Sequence, residues 1–167
     1  MPGLLKSYRV YNCAMPTTAH QVYVTTGTSI KTMMQIDPTV NIIPFGWGYA
    51  FDSNPAAAVY VELLTTGAIA ATGLTAFVAA DVIKYGESGG TASAINLGTS
   101  ASGYSATGEG SIVASRVIDV GPPMANYYST RLELDHESSV LASEFLRVRA
   151  HTSSAVNMLC WVDYLEA

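Results

Sequence analysis

Residues 155–166 read Ala155-Val156-Asn157-Met158-Leu159-Cys160-Trp161-Val162-Asp163-Tyr164-Leu165-Glu166. Successive side chains of a strand point to opposite faces, so Val156, Met158, Cys160, Val162 and Tyr164 share one side and Asn157, Leu159, Trp161, Asp163 and Leu165 the other. The first set is a core face. The second still carries Leu159, Trp161 and Leu165, which predicts a strand covered by protein on both sides. Such a strand in an all-β chain calls for a second layer or a neighbouring subunit. In the subunit case, Leu159, Trp161 and Leu165 are the residues that meet the neighbour.

Upstream the same rhythm repeats. Short β-type runs are punctuated by Gly, Pro, Ser and Asn, the pattern of a sandwich or barrel. Gln21–Thr26 and Ile30–Ile36 flank Gly27-Thr28-Ser29, which reads as a tight turn between two strands. Phe45, Trp47, Tyr49 and Phe51 alternate with Gly46, Gly48 and Ala50, an aromatic stripe backed by small residues that suits a core. The stripe could also stack sugars, but core packing is the stronger reading. Val59–Thr65, Ser111–Val120, Tyr127–Leu134 and Glu144–His151 complete the strand set, and a strand is expected from about Thr75 within Ala68–Tyr85. The expected architecture is one antiparallel β-sandwich over residues 20–167, jelly-roll-like, preceded by an arm over residues 1–19. A long Gly-, Ser- and Thr-rich surface loop is expected at 86–110, with a brief strand near Ala94–Leu97.

Composition narrows the function classes. The chain has 167 residues, enough for one sizeable core without staples. Charged residues make up 13%, against roughly 25% for an average soluble domain, a bias toward a protein that works assembled. Net charge is −5 and the eight Lys and Arg form no basic stripe, so nucleic acid is not an expected direct partner. Near the start, Leu4 and Leu5 stand without a signal-peptide core. No apolar run approaches a membrane span, and synthesis in the cytoplasm is expected. Cys13 and Cys160 lie far apart and read as two buried free thiols.

Several short motifs invite chemistry. Gly86-Glu87-Ser88-Gly89-Gly90 resembles the nucleophile loop of chymotrypsin-like serine proteases, and Thr18-Ala19-His20 resembles their histidine segment, with Asp37 or Asp52 in the compatible order. A triad needs these groups in contact with backbone donors for the oxyanion. The 68 positions from His20 to Ser88 are a tight fit for that fold, and a Gly/Ser-rich loop makes chance matches easy. Asp135-His136-Glu137 reads as a solvated turn rather than a metal site, because neighbours on an extended segment diverge. Phe145, Arg147, Arg149 and His151 share one strand face, read as exposed and cationic. No catalytic residue, cofactor or metal is expected from these motifs.

The run of motifs carries more than any one of them. Thr26-Gly27-Thr28, Ile30-Lys31-Thr32-Met33-Met34-Gln35, Trp47-Gly48, Val61-Glu62-Leu63-Leu64, Leu97-Gly98-Thr99, Gly108-Glu109-Gly110, Phe145-Leu146-Arg147-Val148-Arg149 and Cys160-Trp161 resemble a family of small virion proteins of tailed bacteriophages, especially of actinobacterial hosts. The resemblance implies a protein that decorates or cements the outside of the icosahedral head, a jelly-roll-like sandwich that trimerises and binds the major capsid protein without catalysis. On that reading Leu4, Leu5, Tyr8 and Tyr11 of the arm, the tyrosines Tyr127 and Tyr128, and Leu159, Trp161 and Leu165 are the expected subunit or capsid contacts. Two other classes stay open. One is a receptor- or glycan-binding head-fibre or tail module using the 86–110 loop; the other is a hydrolase at Ser88 and His20.

Overall fold

The computed structural model describes residues 6–15, 19–85, 91–110, 116–123, 125–133 and 138–167. Twelve strands are defined among them: β1 (Lys6–Tyr11), β2 (Val24–Thr25), β3 (Ile30–Ile36), β4 (Ile42–Phe51), β5 (Val59–Thr65), β6 (Thr75–Ala76), β7 (Val82–Tyr85), β8 (Gly103–Tyr104), β9 (Arg116–Val120), β10 (Tyr127–Arg131), β11 (Leu146–Thr152) and β12 (Asn157–Glu166). The first sheet has the order β10-β4-β12-β1-β7, with β2 also on β12, and the second has the order β6-β8-β3-β11-β5-β9. All pairings are antiparallel. Without β2, β6, β7 and β8 the sheets reduce to β1-β12-β4-β10 and β3-β11-β5-β9. This is the strand order of a jelly roll, two interlocked Greek keys.

Each connection among these eight strands crosses between the sheets except the one from β5 to β9. That connection is residues 66–115, and it supplies β6, β7 and β8, whereas β2 belongs to the connection between β1 and β3. It lays β8 and β6 beside β3, and β7 beside β1, so the edges opposite β9 and β10 are extended. The expected strand from Thr75 is two residues, followed by a single 3-10 turn at Ala79–Asp81, whose start Asp81 caps by accepting from the Val78 amide at 2.9 Å. The brief strand expected near Ala94 is one bridge, Ile95 to Pro38.

The core is built from the predicted inward faces. Val156, Met158, Cys160, Val162 and Tyr164 are all buried, as are Trp47, Tyr49 and Phe51. Polar atoms inside find partners: Trp47 Nε1 donates to Asp119 Oδ2 at 2.8 Å, the Tyr128 hydroxyl donates to the same oxygen at 2.9 Å, and the Tyr49 hydroxyl donates to the Pro122 carbonyl at 3.0 Å. Trp47 and Tyr49 are buried and Tyr128 is half-buried, so each bond replaces hydration that the donor would otherwise forfeit.

Four expectations need correction. Residues 6–11, placed in the arm, form β1 between β12 and β7, with Tyr8 and Val10 in the core and Tyr8 stacked on Tyr164 at 5.6 Å. The alternation Ser7, Arg9, Tyr11 outward and Tyr8, Val10 inward is a strand pattern in polar dress. Gly27-Thr28-Ser29 does not close a hairpin, because β2 pairs with β12 and the chain then passes to the other sheet. Phe45 leaves the aromatic stripe: the register between β4 and β12 shifts between Asp163 and Tyr164, which sends Phe45 to the outer face under Arg131. Arg147, expected on an exposed cationic face, is 0% exposed.

Burial also predicts an alkaline instability. It pushes the phenol of Tyr49 up to about 12 and raises those of Tyr164, Tyr8 and Tyr128, while unfolded phenols ionise near 10. Above pH about 10 the unfolded chain therefore binds fewer protons than the folded one, and stability falls as pH rises. The urea midpoint should stay level from neutrality to about pH 9 and then decline through about pH 12, in step with tyrosinate absorbance. A level midpoint across that whole range would contradict this account.

Candidate functional site

The two outer faces of the sandwich differ in what covers them. On the second sheet, β11 directs Arg147, Arg149 and His151 outward, beside Leu64, Glu62 and Tyr60 of β5. Segments of the 66–110 connection cross over Arg147. Its guanidinium donates to the carbonyls of Ile69 and Glu109, the latter at 3.1 Å, and lies 3.6 Å from the Glu109 carboxylate. Glu109 in turn accepts from the Thr32 amide and from Thr32 Oγ1 at 2.7 Å, while Gln35 Oε1 accepts from the Ala71 amide at 2.8 Å. Desolvation lowers the pKa of Arg147 and the nearby Glu109 carboxylate opposes that shift. The motif residues Gln35, Glu109 and Arg147 thus form one latch that holds the connection onto the sheet.

Among the described residues nothing crosses the rest of that face, which mixes apolar side chains with one ion pair. Tyr60, Val117 and Val120 are exposed, Val120 at 51%, around the ion pair of Arg149 Nε and Glu62 Oε1 at 2.6 Å. Tyr60 also lies against His151, ring centres 6.3 Å apart.

The first sheet presents its outer face through Trp161 and its neighbours. Trp161 is 8% exposed, covered by its own chain: Tyr11 at 6.2 Å, Tyr127 at 6.0 Å and the Arg9 guanidinium at 5.9 Å. β12 is central, with β4 and β1 on either side, so its second apolar face is roofed by side chains from adjacent strands. Trp161, expected to meet a neighbouring subunit, is thus covered by its own chain, and Leu159 and Leu165 are half-buried within the same chain. Of the other expected contacts, Tyr8 is in the core, Tyr11 and Tyr128 are half-buried, and Leu4 and Leu5 lie outside the described residues. Tyr127 alone of the expected residues that are described is largely exposed, at 64%.

Beside Trp161 the face sinks into a cleft of about 320 Å³ lined by Ser7, Arg9, Phe45, Tyr85, Arg131 and Asp163. Asp163 is buried and accepts two bonds from Arg9, 2.6 Å from Nε and 2.7 Å from Nη2. That bidentate pairing raises the pKa of Arg9. The same guanidinium stands 5.7 Å from the Tyr85 ring and 5.8 Å from Tyr11, and Arg131 lies 5.9 Å over Phe45. Gly46 faces Asp163 across the register shift; a Cβ there would sit 3.0 Å from Oδ2, so glycine keeps room for the carboxylate. Sequence reading missed this site because Arg9 and Asp163 are 154 positions apart. The available signal was a lone Asp163 within the apolar β12.

The protease-like pieces are not brought together among the described residues. Ser88 and the segments 16–18 and 134–137 lie outside them. His20 is exposed, Asp37 is bonded to Asn96, and Asp52 accepts from Asn157 Nδ2 at 2.8 Å. Cys13 and Cys160 are both buried free thiols, raised in pKa by desolvation. No group of three His, Cys, Asp or Glu side chains able to hold a metal occurs among the described residues, and none of the described helices is long and apolar enough to cross a membrane. No protein-family model and no curated protein matches this chain.

Proposed function

We propose that this protein is a virion subunit of a tailed bacteriophage that decorates the outside of the icosahedral head and reinforces the shell without catalysis, as a homotrimer bound to the major capsid protein. The observation that carries the reading is the uncovered half of the second sheet, where Tyr60, Val117 and Val120 are exposed next to the edge strand β9. The latch covers the other half of that face, and β6, β7 and β8 extend the opposite edges, so among the described residues β9 and β10 are the edge strands of one flank. Exposed apolar side chains beside an edge strand, in a chain with 13% charged residues, suit association with copies of itself. The motif run resembling phage head proteins supplies the biological setting.

Light scattering should give the mass of three chains for the wild-type protein and of one chain for V120D. At a dilution where both proteins are single chains, the unfolding free energy of V120D should stay within about 0.5 kcal/mol of wild type, since Val120 is a surface residue. Added to heads that lack it, the wild-type protein should bind and raise their resistance to heat. A single-chain mass for the wild type together with no binding to such heads would end the proposal.

A further inference from the structure

We propose that the cleft over the first sheet binds an acidic saccharide, a sugar ring bearing one carboxylate. Three features of the cleft match that chemistry. Phe45 and Tyr85 stand on β4 and β7, three strand spacings or about 14 Å apart, and bound the cleft with apolar ring surface, each ring carrying a guanidinium, Arg131 on Phe45 and Arg9 on Tyr85, so that a sugar packs against an aromatic–arginine pair at either end. Between them the buried Asp163 and the guanidinium of Arg9 are locked together and supported by three aromatic rings, so the polar floor is held before any ligand arrives. A pre-formed floor of this kind is unusual for a mere surface ion pair, whose long side chains are normally free to move.

Charge sets the acidic preference. Two guanidinium groups line the cleft against one carboxylate. Arg9 and Asp163 neutralise each other, so that of the lining residues Arg131, exposed at the rim, carries the remaining charge, a planar fork suited to a carboxylate. An acidic peptide would carry the same charge, but extended peptides bind by adding a strand to a sheet edge. The floor of this cleft is β4, β12 and β1, whose backbone groups already pair with neighbours on both sides. The cleft and the self-association surface lie on different sheets, so each can fail without the other.

Trp161, next to Arg9, reports on the site. The wild-type protein, titrated with an oligosaccharide of alternating glucuronate and N-acetylglucosamine, should show a saturable change in tryptophan fluorescence. Reducing the carboxylates to alcohols, or introducing R131A, should each weaken binding at least about tenfold, as expected for loss of a bidentate charged contact. F45A should weaken both the acidic and the reduced sugar, while Y60A on the other sheet should change neither. Light scattering of R131A should match wild type, which separates loss of the sugar from loss of assembly. Absence of saturable binding at millimolar sugar, binding indifferent to R131A, or binding of a poly-glutamate peptide in place of the sugar would each overturn the proposal.

Discussion

Replacing Arg147 by alanine is expected to destabilise the protein by about 3–5 kcal/mol, because it leaves buried polar groups without their partner. The carbonyls of Ile69 and Glu109 lose their donors, and the Glu109 carboxylate keeps only Thr32. Those groups lie between the points at which backbone bonds tie the two segments to the sheet, Thr66 and Gly67 on Phe145 and Ser105 and Ala106 on β3. Hydrogen exchange should therefore speed up most at the amides of Ala71, Thr72, Thr107 and Gly108, which the latch holds in place through Gln35 and through bonds between the two segments. R149A is the comparison. Its carboxylate partner Glu62 is partly solvated, so its removal should cost under about 1 kcal/mol. Equal losses for R147A and R149A in urea titrations would show that the latch does not act as described.

Gly48→Ala should lower stability by about 1–3 kcal/mol, the range for forcing extra atoms into a packed site. A Cβ at Gly48 would stand 2.4 Å from Trp161 Cζ2 and 2.4 Å from the Tyr128 carbonyl oxygen. The carbonyl is backbone of the edge strand β10, paired with β4 over five residues, so it can yield only by opening that ladder. The indole can yield only by tilting away from the sheet, which disturbs Tyr11, Tyr127 and the Arg9 stack. Both routes predict a red-shifted tryptophan emission and faster exchange along β10. Gly27→Ala is not an equivalent control, since Gly27 has φ +73° and any side chain there is strained for a different reason. Unchanged emission and an unchanged urea midpoint in G48A would mean that the close contact is not required.

The two variants also separate the faces of the molecule. R147A should loosen the second sheet's cover and leave tryptophan emission near Trp161 as it was. G48A should do the reverse, and only G48A should impair saccharide binding, through the displaced Arg9.

The strand alternation of the sequence was enough to determine an all-β sandwich and the inward face of β12, though not the burial of Trp161, Asp163 and Glu166 on that strand, because a period of two states directly which side chains share a face. Composition likewise pointed to a surface poor in charge. Tertiary structure decided what lies over each face. Trp161 looked like a residue awaiting a neighbour, yet Tyr11 and Tyr127 cover it from strands 150 and 34 positions away in sequence. Arg147 looked solvated, yet the connection between β5 and β9 folds back over it. Periodicity is local and fixes the face to which a side chain belongs. Cover, and the pairing of Arg9 with Asp163, depends on which distant strands become neighbours, and that is set by the jelly-roll order of the sheets and by one shift of register at Asp163.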